Sequence, residues 1–313
     1  MVTLWRVSFP LLLLSGALIT YPSFGATLLV GQNQSYKMPS EAAAVVHDGD
    51  HIEIDPGEYY DCAVWRANDL VIEGTAPGVI ITDKTCMGKG LFVIAGNNTT
   101  VRNLTLTRAR VPDKNGAGIR LDGGSLFVDG VKFINNQDGI LGGGLVPGST
   151  VTIINSYFEK NGYCEGDTGC AHAIYINNVD LLRVKDSIFI NTQVGHSIKS
   201  RAVHTEITGC NIGDGPEGTS SYLIDIPNGG TLVVSDNVLE KGPKSQNHGA
   251  AIAIGEEGTT HQTTEIVVRN NTFRNDGNYP TALLWNVTAT DAQLEGNKLF
   301  GRVVPLKGEG RAE

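Results

Sequence analysis

Val101-Arg102-Asn103-Leu104-Thr105-Leu106 opens on an apolar residue, turns at Asn103 and closes on a second apolar residue. The phrase returns as Val128-Asp129-Gly130-Val131-Lys132-Phe133 and as Ile153-Ile154-Asn155-Ser156-Tyr157-Phe158. Five more copies open at Val184, Ile207, Val234, Val268 and Leu294, turn at Asp186, Gly209, Asp236, Asn270 and Gly296, and close at Phe189, Ile212, Leu239, Phe273 and Leu299. Successive closing residues lie 27, 25, 31, 23, 27, 34 and 26 positions apart. A constant frame interrupted by loops of unequal length is the pattern of stacked coils.

A second strand precedes each phrase, as in Gly118-Ile119-Arg120-Leu121, Ala173-Ile174-Tyr175-Ile176, Leu223-Ile224-Asp225-Ile226 and Ala282-Leu283-Leu284-Trp285. Its aligned Ile or Leu must face inward for the coils to stack, which turns the residues on either side outward. No stretch of 10–15 residues reads as a crossover helix, so a doubly wound sheet is excluded. The chain therefore reads as an all-β, single-domain parallel β-helix. Roughly nine to ten coils at ~4.8 Å each make it about 45 Å long. The Asn and Asp at the third position of the phrase are expected to stack as a ladder that satisfies turn backbone groups.

The bounds follow from composition. Arg6, the apolar run Val7–Ile19, Pro22 and Ser23-Phe24-Gly25 read as a signal peptide over residues 1–25, too short for a spanning helix. Residues 26–48 read as an N-terminal cap with a short helix opened by Pro39-Ser40-Glu41. The β-helix is placed at 49–301 and a C-terminal tail at 302–313. Removal of the leader takes Arg6 and no acid, leaving 23 basic against 33 acidic residues. An acidic exported chain, periplasmic or extracellular, without a stable membrane insertion, argues against nucleic acid as partner. Cys62 and Cys86 are about one coil apart, and Cys164 and Cys170 bracket a short loop. Both pairs are expected as disulfides in an oxidising compartment, with Cys210 buried and free. No Cys-x-x-Cys cluster suggests a structural metal.

From Pro39 to Tyr59 the Ala-rich helix, Gly49-Asp50, the alternating His51-Ile52-Glu53-Ile54 and Pro56-Gly57-Glu58-Tyr59 resemble the opening of the pectate-lyase-like right-handed parallel β-helix superfamily. The coil phrases carry the resemblance to about residue 301. It implies right-handed coils, three sheets, and a polysaccharide groove on the sheet that holds the Gly-Ile-x-Leu strands. It does not fix the reaction. Polygalacturonase-like members carry Asn-Thr-Asp and Asp-Asp motifs, and both are absent here; only Gly195-His196-Ser197-Ile198-Lys199 echoes their remaining motifs, which speaks against hydrolysis.

Down the stack the outward positions read Arg120, Leu141, Tyr175, Lys199, Asp225, Ala253, Leu284, and two residues further Asp122, Gly143, Asn177, Arg201, Pro227, Gly255, Asn286. Asp138, His172, His196 and Tyr222 stand at the strand entrances, and Glu256-Glu257 with the His248 and His261 loops lie toward one groove end. Polar titratable groups thus gather on the central coils. Cleavage or epimerisation of a uronate requires loss of the proton beside its carboxylate and stabilisation of the enolate. Arg201 or Arg120 is expected to pair the carboxylate, and Lys199, its pKa lowered by Arg201, to act as base. His172, His196 or Tyr175 is expected to return a proton. Asn177, Asp225 and Tyr222 are expected to bind substrate, with Asp225 the acidic oxygen for a bridging Ca²⁺. His172 and His196 share the parity of the inward Ile residues, so a buried, satisfied imidazole is their alternative. Overall the chain reads as an exported polysaccharide lyase or epimerase acting on an acidic polymer, the rival being a non-catalytic polysaccharide-binding or structural envelope protein.

Overall fold

Every apolar opening and closing residue of the phrase finds its counterpart in the next coil. In the computed structural model, which describes residues 1–2, 25–165 and 169–313, Val101, Val128, Ile153, Val184, Ile207, Val234, Val268 and Leu294 are consecutive register partners along one parallel sheet. Leu106, Phe133, Phe158, Phe189, Ile212, Leu239, Phe273 and Leu299 do the same along a second. The phrase therefore wraps one corner of each coil. Its third residue takes a left-handed backbone conformation in every copy, from φ 48 at Asp186 to φ 67 at Gly209, which Asn, Asp and Gly adopt at least cost. The ladder expected at that position sits one residue later. Cys210 N donates to Asn237 Oδ1, Asn237 N to Asn271 Oδ1 and Asn271 N to Asn297 Oδ1. Left-handed residues point outward, whereas the next residue points into the corner where backbone donors need partners.

The two phrase-bearing sheets have 12 and 10 strands, and a third sheet of 10 strands closes each coil. The apolar centre is continuous from Leu28 to Leu294. Inside it Phe133, Phe158 and Phe189 stack with centroids 4.6 and 4.5 Å apart. Each fully buried apolar side chain stabilises the fold by about 1.5–3 kcal/mol.

Both ends depart from the expected bounds. Thr27–Val30 pairs with His51–Ile54, so residues read as cap already form a rung. Val303–Gly308 and Gly310–Ala312 pair with Thr281–Asn286 and Ala292–Glu295, so residues read as tail wind another coil. Alternation too short or too polar to register as a strand is stabilised here by a ready-made edge. The longest sheet thus has more rungs than the nine to ten expected. The helix is confined to Pro39–Ala43, with Pro39 and Ala42 buried. It packs on Thr27–Val30 and Ala63–Trp65 and so caps the stack. Both disulfides, Cys62–Cys86 and Cys164–Cys170, form, and Cys210 is free and buried. The signal-peptide reading falls almost wholly outside the described residues, and among them no helix is long and apolar enough to cross a membrane.

Candidate functional site

The third sheet presents its outer face as a groove. Register pairs run Arg120, Leu141, Tyr175, Lys199, Asp225, Ala253, the row expected from sequence, but the next member is Trp285 and not Leu284. Leu284 pairs with Ile252 and is buried. Two adjacent leucines leave the parity of that strand undecided until its register is known. In the second row Asn286 pairs with Ile254 rather than Gly255, the same one-residue slip.

His172, Tyr175, His196, Lys199 and Arg201 line one cleft of about 380 Å³, joined by Ser221, Gln246 and Glu257. Arg201 Nε donates to Tyr175 Oη at 2.8 Å, and the Lys199 ammonium lies 5.7 Å from the Tyr175 ring centroid. Glu257 binds both cations, Oε1 to Lys199 Nζ at 2.8 Å and Oε2 to Arg201 Nη2 at 2.6 Å. Asn228 Oδ1 accepts from Arg201 Nη1. Sequence reasoning left Glu257 at the groove end and overlooked Asn228; both stand in loops after strands, where alternation carries no signal.

Other candidates fall elsewhere. Arg120 bonds Asp122, which also holds Lys89, and lies three rungs from Lys199. Asn177 contributes a backbone donor to Gly142 O. Neither lines the cleft. Tyr222 stacks on His196 at 5.3 Å.

The strand-entrance residues form a relay of backbone acceptors. Asp138 Oδ1 accepts His172 N at 2.7 Å, His172 Nδ1 accepts His196 N at 2.9 Å, and His196 Nδ1 accepts Tyr222 N at 3.0 Å. An Nδ1 that accepts leaves the proton of a neutral imidazole on Nε2. Burial, then neighbouring charges of His196, Lys199 and Arg201, push His172 well below its usual value; burial, then Lys199 and Lys241, push His196 down to about 3. Through Nδ1 both imidazoles act as structural acceptors, the satisfied state that their parity with the inward Ile residues allows.

Lys199 also departs from its expected role as base. Burial draws its pKa down, but the Asp225 charge and the Glu257 carboxylate outweigh this, and the net shift is upward. Arg201 alone does not decide the balance. Asp225 is 1% exposed, with Oδ2 3.2 Å from both Lys199 Nζ and His196 Nε2. Neither contact is aligned as a hydrogen bond, and both its oxygens lack one. Burial, then the Glu256 carboxyl beside it, raise Asp225 well above the carboxylate range. An ammonium against Oδ2 opposes any second cation there, so Asp225 does not fit the Ca²⁺ ligand expected of it, nor, enclosed, a direct substrate contact.

The family described as "Right handed beta helix region" matches residues 42–212, more than half of the chain. No curated protein sequence matches. Among solved structures, alginate lyase from Paenibacillus sp. str. FPU-7 superposes with a TM-score of 0.59 at 16% identity, covering 89% of this chain and 99% of that one. Looser likenesses include pectin methylesterase from Aspergillus niger (TM-score 0.43, 10% identity, 93% and 92% covered) and the mannuronan C-5 epimerase A-module of Azotobacter vinelandii (0.36, 12%, 87% and 91%). The resemblance to the pectate-lyase-like β-helix superfamily thus holds for the fold.

Proposed function

As the chain belongs to the right-handed β-helix family, whose members differ in reaction, we propose from the groove chemistry that it binds an acidic polysaccharide and cleaves it by β-elimination at a uronate unit. The observation that carries this reading is Tyr175 Oη held by Arg201 Nε, with Lys199 at the same ring. Two fixed cations would neutralise the uronate carboxylate and stabilise the enolate that develops from it. Tyr175 Oη, as phenolate, would take the proton from the carbon beside the carboxylate. The electron pair released forms the new carbon–carbon double bond, the bond to the leaving oxygen breaks, and that oxygen takes the proton back from Tyr175. One group serves both transfers, as a syn elimination allows.

Glu257 now spans the two cations as a substrate carboxylate would, so substrate entry requires that this loop carboxylate give way. Epimerisation shares the first step but needs a proton donor on the opposite sugar face. With the Nδ1 atoms of His172 and His196 taken up by backbone donors, elimination is the reading we favour. Two disulfides suit work outside the cytoplasm, and the reading accords with the activity named for the Paenibacillus fold neighbour.

Incubation with pectate, alginate and glycosaminoglycans, with and without Ca²⁺, tests the proposal. Absorbance of unsaturated uronate ends is the expected result. Solvent deuterium entering intact polymer would replace elimination by epimerisation. Polymer bound without either change would replace catalysis by binding.

A further inference from the structure

The groove continues past the cleft. Rings follow one another from His172 to His196 at 4.8 Å, His196 to Tyr222 at 5.3 Å and Tyr222 to Trp285 at 6.5 Å. Tyr222 and Trp285 belong to coils two rungs apart, about 9.6 Å at ordinary strand spacing. Their closer approach means that the two rings lean toward each other across the intervening coil, where Ala253 is fully buried. Trp285 is half-buried on the outer face, and Lys307, its register partner on the next rung, places Nζ 4.4 Å from the indole centroid. Of the three tryptophans in the chain, Trp5 lies outside the described residues and Trp65 is sealed in the core. Among the described residues only Trp285 meets the groove.

We propose that Trp285 and Lys307 form a distal subsite for one acidic sugar of the polymer, an inference that rests on the reading of the groove as a polyuronate site. A pyranose offers an apolar C–H face that packs on an indole, and a uronate adds a carboxylate at the ring edge for an ammonium beside the same indole. Lys307 is exposed, so its ammonium, which lies over the indole, has room to swing to the ring edge and meet such a group. The row Lys199, Asp225, Ala253, Trp285 puts the subsite three rungs from the cleft, about 14 Å, so only an extended chain reaches both. Arg120 with Asp122 and Lys89 marks the opposite end by charge alone. The two ends therefore differ in chemistry, and a bound chain has a preferred direction.

Tryptophan emission reads the subsite without catalysis. Titration with polygalacturonate or alginate is expected to shift or quench emission of the full chain, whereas dextran, which has no carboxylate, does not. Trp285→Phe is expected to abolish the response while the thermal transition persists. Lys307→Gln, which leaves the indole in place, is expected to weaken the titration about three- to tenfold and to leave turnover of oligomers too short to span both sites unchanged. Emission unmoved while polymer is cleaved would overturn the subsite and leave the lyase reading standing. A response without cleavage would keep the subsite and sink the lyase reading. A polymer neither bound nor cleaved would end both.

Discussion

Phe158, Phe189 and Ile212 occupy three successive coils, and the same coils carry Tyr175, Lys199 and Asp225. Inside, like lies on like: the Phe158 and Phe189 rings stack 4.5 Å apart within 5° of parallel. Outside, unlike lies on unlike: an aromatic hydroxyl, then a cation, then an acid. Parallel register places equivalent positions directly over one another in both cases. In the interior that demands matched apolar shapes; on the outer face a repeated charge would repel itself, so neighbouring rungs alternate in character. One geometric rule thus yields stability on one side and a convergent set of ionisable groups on the other.

Breaking each column separately gives the largest effects. Tyr175→Phe removes the group proposed to carry the proton and is expected to lower kcat by about 10²–10⁴-fold, with the thermal transition intact. Lys199→Ala is expected to lower kcat by about 10²–10³-fold. Initial rates on the polymer set beside circular dichroism check both, and a Tyr175→Phe rate within a factor of two of the parent removes the proton-transfer assignment. Phe158→Ala is expected to do the opposite. Removing a fully buried ring costs about 3–5 kcal/mol of stability, read by urea unfolding, while kcat below the transition stays at the parent value. A large loss of kcat in the folded variant would mean that the two sides of the coil are not independent.

The inner column was legible because its apolar residues recur at a fixed offset whatever the loops do. The outer row was legible as far as Ala253 because each strand from Ile119 to Ile252 carries an Ile at the same inward position. It slipped at Leu283-Leu284, and the slip hid Trp285. Roles were harder to read than places. Whether Lys199 is base or fixed cation depends on Asp225 and Glu257, and Glu257 arrives from a loop that no periodicity positions. The histidines were legible as neighbours, but that their Nδ1 atoms accept backbone N–H groups follows only from how consecutive coils stagger.

The relay at the strand entrances allows a finer test. Asp138 is fully buried with Oδ2 unpaired, and burial chiefly pushes its carboxyl up to about 8. A raised acid keeps its proton in the folded protein where the unfolded chain has already released it, so stability falls as pH rises from the unfolded value of 3.8 toward 8. His196, depressed to about 3, works oppositely, adding stability as pH rises to its unfolded value of 6.5 and nothing above. Between pH 6.5 and 8 the Asp138 slope is thus unopposed by His196 and is worth about 2 kcal/mol. Asp138→Asn keeps an acceptor for His172 N and is expected to reduce that loss, measured as unfolding free energy at the two pH values. Equal slopes in parent and variant would show that Asp138 is ionised when folded.

The smallest effect bears most directly on how the outer row works. Glu257 occupies the two cations in the absence of substrate, so its carboxylate competes with the one proposed to enter. Its ion pairs are part-exposed contacts, each of the kind worth at most about 1 kcal/mol, and the side chain lies on a turn closed by Gly258 N to Gly255 O. Glu257→Gln keeps the shape and removes the charge. KM for an acidic polymer is expected to fall about two- to fivefold with kcat unchanged, because the cations are then less occupied before binding. A rise in KM, or a fall in kcat, would assign Glu257 the contrary task of holding Lys199 and Arg201 in place, and the outer row would then be organised before substrate arrives rather than by its arrival.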